Sequence, residues 1–210
     1  MIRYVSVARE AEAEQVIEKS RFIGCVTRVC ARDGAEEFFA GRRALHKGAT
    51  HNVPAFVLGD NGELQWANDD GEPQGTAGAP ILRMLVAEGL TNIAVTVTRY
   101  FGGVKLGTGG LIRAYTGAAR AAVDAAGVCD VCEQALLTYR VDYGSFGKLQ
   151  TVARRDGISL GDAVFTDAVV ATLSGPSEDA DALVALVADI TSGTGKLVAR
   201  ETRLTAVPRL

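Results

Sequence analysis

The chain has 210 residues, 48% of them hydrophobic and 22% charged, with 22 basic and 25 acidic side chains and a formal net charge of −3. That length and apolar fraction describe a globular chain with room for two small cores, and the slight acidity is no polyanion-binding signature. Residues 1–130 carry 14 basic and 15 acidic side chains and residues 131–210 carry 8 and 10, so tight non-specific DNA binding is not expected and any nucleic-acid contact must be local.

The first eighteen residues carry acids throughout and no long apolar core, which argues against a secretory signal. No later stretch is long and apolar enough to span a bilayer, so a cytoplasmic protein with no membrane partner is expected. Apolar and β-branched patterning predicts strands over 3–7 and 22–29, a helix over 34–47, strands over 52–58 and 64–67, a helix over 76–88, a strand over 92–100 and an alanine-rich helix over 108–126. These elements read as a mixed sheet carrying helices. A boundary near 127–133, without a flexible linker, divides the chain into domains of residues 1–130 and 131–210. Beyond it come a strand over 135–141, a helix over 145–156, strands over 158–160 and 163–173, a helix over 177–190 and a strand over 196–205. That β-α-β-β-α-β order predicts a ferredoxin-like domain, and the fold class is α+β.

The densest signal lies between the strand over 92–100 and the helix that follows it. Arg99 to Arg113 holds five glycines, three cations and no acid. Glycine lets several N–H groups converge, the opening of a helix near Thr108 adds its positive end, and Arg99, Lys105 and Arg113 add charge, so the loop can hold an anion. Neither standard phosphate fingerprint fits, because Thr108 stands where the Walker lysine belongs and the dinucleotide motif lacks its third glycine.

An acidic cluster precedes it. Asp69, Asp70 and Glu72 fall within four residues, ahead of a helix for which Thr76 is the expected cap. If the two loops lie side by side, these carboxylates are expected to pair with Arg99, Lys105 and Arg113 in preference to binding a divalent cation, since the calcium-loop pattern is absent.

Histidine chemistry is restricted to His46 and His51, of which His51 stands at a strand entrance. The four cysteines form two pairs, Cys25 with Cys30 and Cys129 with Cys132, whose odd separations along extended chain would point them to opposite faces. Free thiols in a reducing compartment are expected, with no metal. Tyr100, Phe101 and Tyr115 are the rings near the glycine loop; a stacking platform would need two of them exposed, whereas Phe101 is expected in the core with Tyr100 and Tyr115 anchoring the loop.

Lys19-Ser-Arg-Phe-Ile-Gly, Ala49-Thr-His-Asn, Asp69-Asp-Gly-Glu-Pro-Gln-Gly-Thr-Ala-Gly and the run from Val97 to Tyr115 together resemble the bacterial YigZ-like branch of the IMPACT family, across most of residues 19–125. The resemblance implies an N-terminal domain similar to the second domain of a small-subunit ribosomal protein. It also implies a C-terminal ferredoxin-like domain similar to the last domain of elongation factor G. Eukaryotic members regulate translation by competing for the ribosome-associated activator of an amino-acid-starvation kinase, and for bacterial members the folds imply a role in ribosome or nucleic-acid binding.

Three readings follow. The first is a non-enzymatic translation-associated module that contacts ribosome, structured RNA or a translation-regulatory protein through Arg99, Tyr100, Gly102, Gly103, Lys105, Gly107, Thr108, Gly109, Gly110, Arg113 and Tyr115, without a cofactor. The second is an enzyme or binder for a phosphorylated or carboxylated small molecule, in which the same loop holds the anion and His51, Asp69, Asp70 or Glu72 does proton chemistry. A closed pocket joining Asp70 and His51 to the loop would favour this second reading, and a flat basic surface the first. The third is that the two loops lock together for stability alone. The sequence leaves the oligomeric state open.

Overall fold

In the computed structural model, which describes residues 2–156 and 158–209, the chain begins β1 (Ile2–Val7), β2 (Ala11–Ile17), β3 (Ser20–Arg28), α1 (Arg32–Leu45), β4 (His51–Leu58), β5 (Leu64–Ala67), α2 (Gly78–Ala87), β6 (Ile93–Tyr100) and α3 (Gly107–Ala126). It continues β7 (Val128–Val141), α4 (Tyr143–Asp156), β8 (Ser159–Phe165), β9 (Val169–Pro176), a 3-10 turn at Ser177–Asp179, α5 (Ala180–Ile190) and β10 (Lys196–Pro208). Contacts divide it into two units, one of Arg3–Val131 with residues 206–209 and the other of Cys132–Thr205 with Ile2. The protein is thus a two-domain α+β chain. No helix among the described residues is long and apolar enough to cross a membrane.

The first unit is built on a sheet of order β2-β3-β6-β4-β5. The expected mixed sheet is corrected here, since every pairing in it is antiparallel. β6 inserts between β3 and β4, so the strands joined through α1 never pair with each other. β1 lies outside this sheet and pairs with β7, with an isolated parallel bridge from Val5 to Leu90.

Alternation along the strands separates two cores. Val53, Ala55 and Val57 of β4, with Val95 and Val97 of β6, pack under α2 and α3 against Ile81, Leu85 and Ala118, whereas Phe56, Leu58 and Ala94 face α1 and its Ala35, Phe38 and Phe39. α3 lies almost on the backbone of β3. A Cβ on Gly24 would stand 2.1 Å from the carbonyl oxygen of Ala118, so only glycine permits this approach.

β2 has no counterpart among the expected strands. Its alternating Ala and Glu residues have low β propensity, yet Ala11, Ala13 and Ile17 pack against the core and Gln15 Nε2 donates to Ala114 O at 2.8 Å. Hairpin pairing with β3 supplies what the side chains do not.

In the second unit the strand order is β10-β7-β9-β8, with β7 and β8 both antiparallel to β9. Leu137, Tyr139, Leu149, Leu173 and Val187 form its core. The expected single strand over 163–173 is two strands. Thr166 to Ala168 turn the chain, Thr166 N donating to Ala168 O at 2.9 Å and Arg140 holding Asp167 at 2.5 Å. A register shift between Leu160 and Ala163 kinks β8, and the continuous β7 runs straight through the region of the expected boundary.

Candidate functional site

Sheet register assembles the site. Phe22 of β3, Arg99 of β6 and His51 of β4 stand abreast on three adjacent strands, on the face covered by α3. From α3, Tyr115 meets Phe22 edge to face at 5.2 Å. The acidic loop brings Glu72 between them: its Oε1 accepts from Arg99 Nη1 at 2.6 Å and from the Tyr115 hydroxyl at 2.7 Å. All three side chains are buried. Burial, followed by the hydrogen bond to Glu72, pushes the Tyr115 phenol far above its ordinary range, so it remains a donor. Arg99 also donates from Nη2 to Ser20 Oγ at 3.3 Å, and its guanidinium lies 5.3 Å from the centres of both the Phe22 and Phe101 rings.

The acidic loop is held by its own carboxylates. Asp69 Oδ1 accepts from Ala77 N at 3.1 Å and Gly78 N at 2.8 Å, and its Oδ2 accepts from Gly75 N at 2.7 Å. Asp69, six to nine residues upstream of these donors, therefore satisfies the start of α2 in place of the expected cap Thr76. The Thr76 hydroxyl is turned back to donate to Pro73 O at 2.6 Å. Asp70 adopts a left-handed φ of 47°, which a non-glycine residue tolerates at some strain, and its carboxylate takes Arg43 Nη2 at 2.8 Å and Asn52 N at 2.6 Å. The carbonyl of Asp70 accepts from His51 Nδ1 at 2.7 Å. A carbonyl only accepts, so Nδ1 carries the proton and Nε2, 3.7 Å from Glu72 Oε1, is an acceptor in the neutral ring.

Of the expected ion pairs, only Glu72 with Arg99 forms. Asp69 is occupied by backbone and Asp70 by α1, and Lys105 and Arg113 make no ion pair among the described residues. Of the four carboxylate and histidine candidates for proton chemistry, His51 and Glu72 line a cavity of about 480 Å³ under the glycine loop, and Asp69 and Asp70 do not. The wall of that cavity includes Phe101, Lys105, Leu106, Gly107, Thr108 and Leu111.

The glycine loop divides into distinct parts. Gly102 lies against the turn between β2 and β3, where an added Cβ would fall 2.0 Å from the carbonyl carbon and oxygen of Lys19, and its N–H donates to Ser20 Oγ at 3.1 Å. Glu18 and Lys19 form that turn with left-handed φ values of 46° and 65°. Gly103 and Gly107 take positive φ, and Thr108, Gly109 and Gly110 form the first turn of α3, which has neither an acidic residue nor a side-chain cap. Its N–H groups are therefore free for an anion. Lys105 and Arg113 are exposed.

The rings are distributed otherwise than expected. Phe101 is 48% exposed at the cavity wall because its N–H is held outward by Thr50 Oγ1 at 3.1 Å, whereas Tyr115 is fully buried and cannot stack on a ligand. Tyr100 faces the other side of β6, where His46 Nδ1 donates to its hydroxyl at 3.0 Å. Sequence reasoning missed Ser20 and Thr50 as supports, although both lie in the quoted family stretches; nothing in the sequence singled out Leu106 or Leu111. Cys25 and Cys129 are buried, Cys30 is exposed and Cys132 half-buried, and burial pushes the Cys25 thiol up to about 11.

Residues 18–123 match a family model described as the Impact N-terminal domain, and residues 140–194 match a domain of unknown function, DUF1949. The chain is 37% identical over 190 residues to IMPACT family member YvyE of Bacillus subtilis (strain 168), covering 90% of this chain and 88% of that protein. It is 44% identical over 103 residues to IMPACT family member YigZ of Escherichia coli (strain K12), covering 48% and 50%. A crystal structure of a hypothetical protein is similar with a TM-score of 0.60 and 29% identity, over 96% of this chain and 98% of that one.

Proposed function

The chain belongs to the IMPACT family, and on that premise we propose that it is a non-enzymatic, translation-associated module of the cytoplasm that binds structured RNA, as on the ribosome, through the loop over 101–110. The observation that carries this is the contrast between its cations. Arg99 is neutralised internally by Glu72, while Lys105 and Arg113 stand exposed beside the uncapped start of α3, where two charges and several N–H groups offer themselves to phosphate. The reading also takes residues 1–130 as the counterpart of a ribosomal-protein domain and residues 131–210 as a ferredoxin-like domain of the elongation-factor kind. The strand order β10-β7-β9-β8 supports the latter.

Co-sedimentation with ribosomes across a salt series tests the proposal. Binding is expected to fall with salt, and to fall strongly in the double variant Lys105→Glu, Arg113→Glu. Unchanged affinity in the double variant would remove the loop from the interface.

The cavity supports a second reading, a binder or enzyme for a phosphorylated or carboxylated small molecule, because His51 Nε2 and Glu72 meet there. Against it, Asp70 is committed to Arg43 and the backbone of Asn52, so the acid that would complete a pair with His51 is turned away.

A further inference from the structure

We infer that the cavity beneath the glycine loop is a pocket for one unpaired nucleotide, stacked on Phe101 and selected for a base that carries an exocyclic amine. This rests on the RNA reading above and names what that RNA must present. The cavity, at about 480 Å³, is of small-ligand size and too narrow for a duplex. Three chemically different walls fit the three parts of a nucleotide.

The first wall is the ring. Phe101 is 48% exposed and is backed by the Arg99 guanidinium, which is itself held over Phe22 and tied to Glu72. A cation fixed behind a ring makes a rigid platform, and base stacking on such rings is tolerant of identity. The second wall is the anion end, where Lys105 stands beside Gly107 and Thr108 at the start of α3. Phosphate there would meet both charge and backbone N–H groups.

The third wall reads the base edge. His51 Nε2 and the Glu72 carboxylate, 3.7 Å apart, both line the cavity, and in the neutral ring, whose Nδ1–H goes to the Asp70 carbonyl, Nε2 is an acceptor like the carboxylate. Two acceptors facing one space require a donor between them. The exocyclic amine of adenine, cytosine or guanine supplies two N–H groups on one nitrogen, whereas uracil has no such amine and offers only its single N3–H. The Arg99 side chain, only 6% exposed, also lines the cavity, and its buried Nε has no hydrogen-bond partner among the described residues.

The test is fluorescence anisotropy of the full chain with labelled single-stranded oligo-A, oligo-C and oligo-U and an RNA duplex, with AMP as competitor. Oligo-A and oligo-C are expected to bind on the order of tenfold more tightly than oligo-U or duplex. Phe101→Ala and Phe101→Leu should abolish that preference with an unchanged melting temperature, and Phe101→Trp should retain it. Competition by AMP would make the free nucleotide a sufficient ligand, and its failure would make the pocket a reader of nucleotides within a strand; either agrees with the inference. Salt-dependent binding that is equal for all four RNAs and indifferent to Phe101 overturns the pocket while the loop reading stands. Ribosome binding that resists salt, with no binding to any RNA, overturns both in favour of a protein partner.

Discussion

One oxygen of Glu72 takes hydrogen bonds from Arg99 at 2.6 Å and from Tyr115 at 2.7 Å, joining an acidic loop, a central strand and the longest helix inside the core. Burying an ion pair costs desolvation that Coulomb attraction offsets only when further hydrogen bonds complete it, as Tyr115 and Ser20 do here. Arg99→Met is therefore expected to lower the unfolding free energy by about 3–5 kcal/mol, because it strands a buried carboxylate. Tyr115→Phe keeps the pair and removes one donor, for a loss of about 1–3 kcal/mol. Urea titration of the two variants checks the order, and equal losses would mean that the hydroxyl, not the charge pair, holds the loop.

The contact of Gly102 with the turn at Lys19 predicts that the glycine loop is positioned by packing as much as by backbone freedom. Gly102→Ala places a carbon 2.0 Å from the backbone of that turn, which has no flexible side-chain end to move aside. Overpacking of this kind costs about 1–3 kcal/mol. Gly109→Ala meets only the tip of Arg113 at 3.5 Å, in a helix, and is expected to be neutral or slightly stabilising. Melting temperatures of the two variants should separate in that order; a Gly102→Ala protein as stable as its parent would show that the turn yields.

These two relationships mark what the sequence could convey. Helices and most strands were legible because their apolar residues repeat with a clear period, and Gly102, Lys105 and Arg113 stood out by type and spacing. β2 was not legible, since its Glu and Ala residues alternate without β propensity and become a strand only by pairing with β3. Nor could charge counting assign partners. Asp69, Asp70 and Glu72 are chemically equivalent along the chain, and only the three-dimensional path gives one to backbone N–H groups, one to Arg43 and one to Arg99. Phe101 misled because an apolar ring at a strand end normally points inward, and here Thr50 holds its backbone so that the ring faces the cavity.

The division of labour among the acids is itself testable. Asp69 takes three backbone N–H groups around the start of α2, and its carbonyl accepts from Glu72 N at 3.0 Å. Asp69→Ala should lose about 2 kcal/mol, at the upper end of cap removals. Thr76→Ala, which removes only a donor to Pro73 O, should lose about half as much. Chemical denaturation of both checks this, and a larger loss for Thr76→Ala would return the cap to that residue.

His46 predicts a pH dependence. Its Nδ1 donates to the Tyr100 hydroxyl and its Nε2 accepts from Arg42 Nη2 at 3.0 Å, an arrangement open only to the neutral ring. Burial first, and then the charge of Arg42, holds its pKa below the ordinary 6.5; Arg21 acts in the same direction and Glu12 against it. Below pH 6.5 the unfolded chain binds a proton that the folded ring resists. The contribution is therefore fully present above 6.5 and is lost as pH falls through the folded value. The melting-temperature advantage of the parent over His46→Gln should shrink on acidification from about pH 8 to about pH 5. An advantage that grows instead would mean that the charged ring gains Glu12, which Arg42 already binds, more than it loses to Arg42 and Arg21.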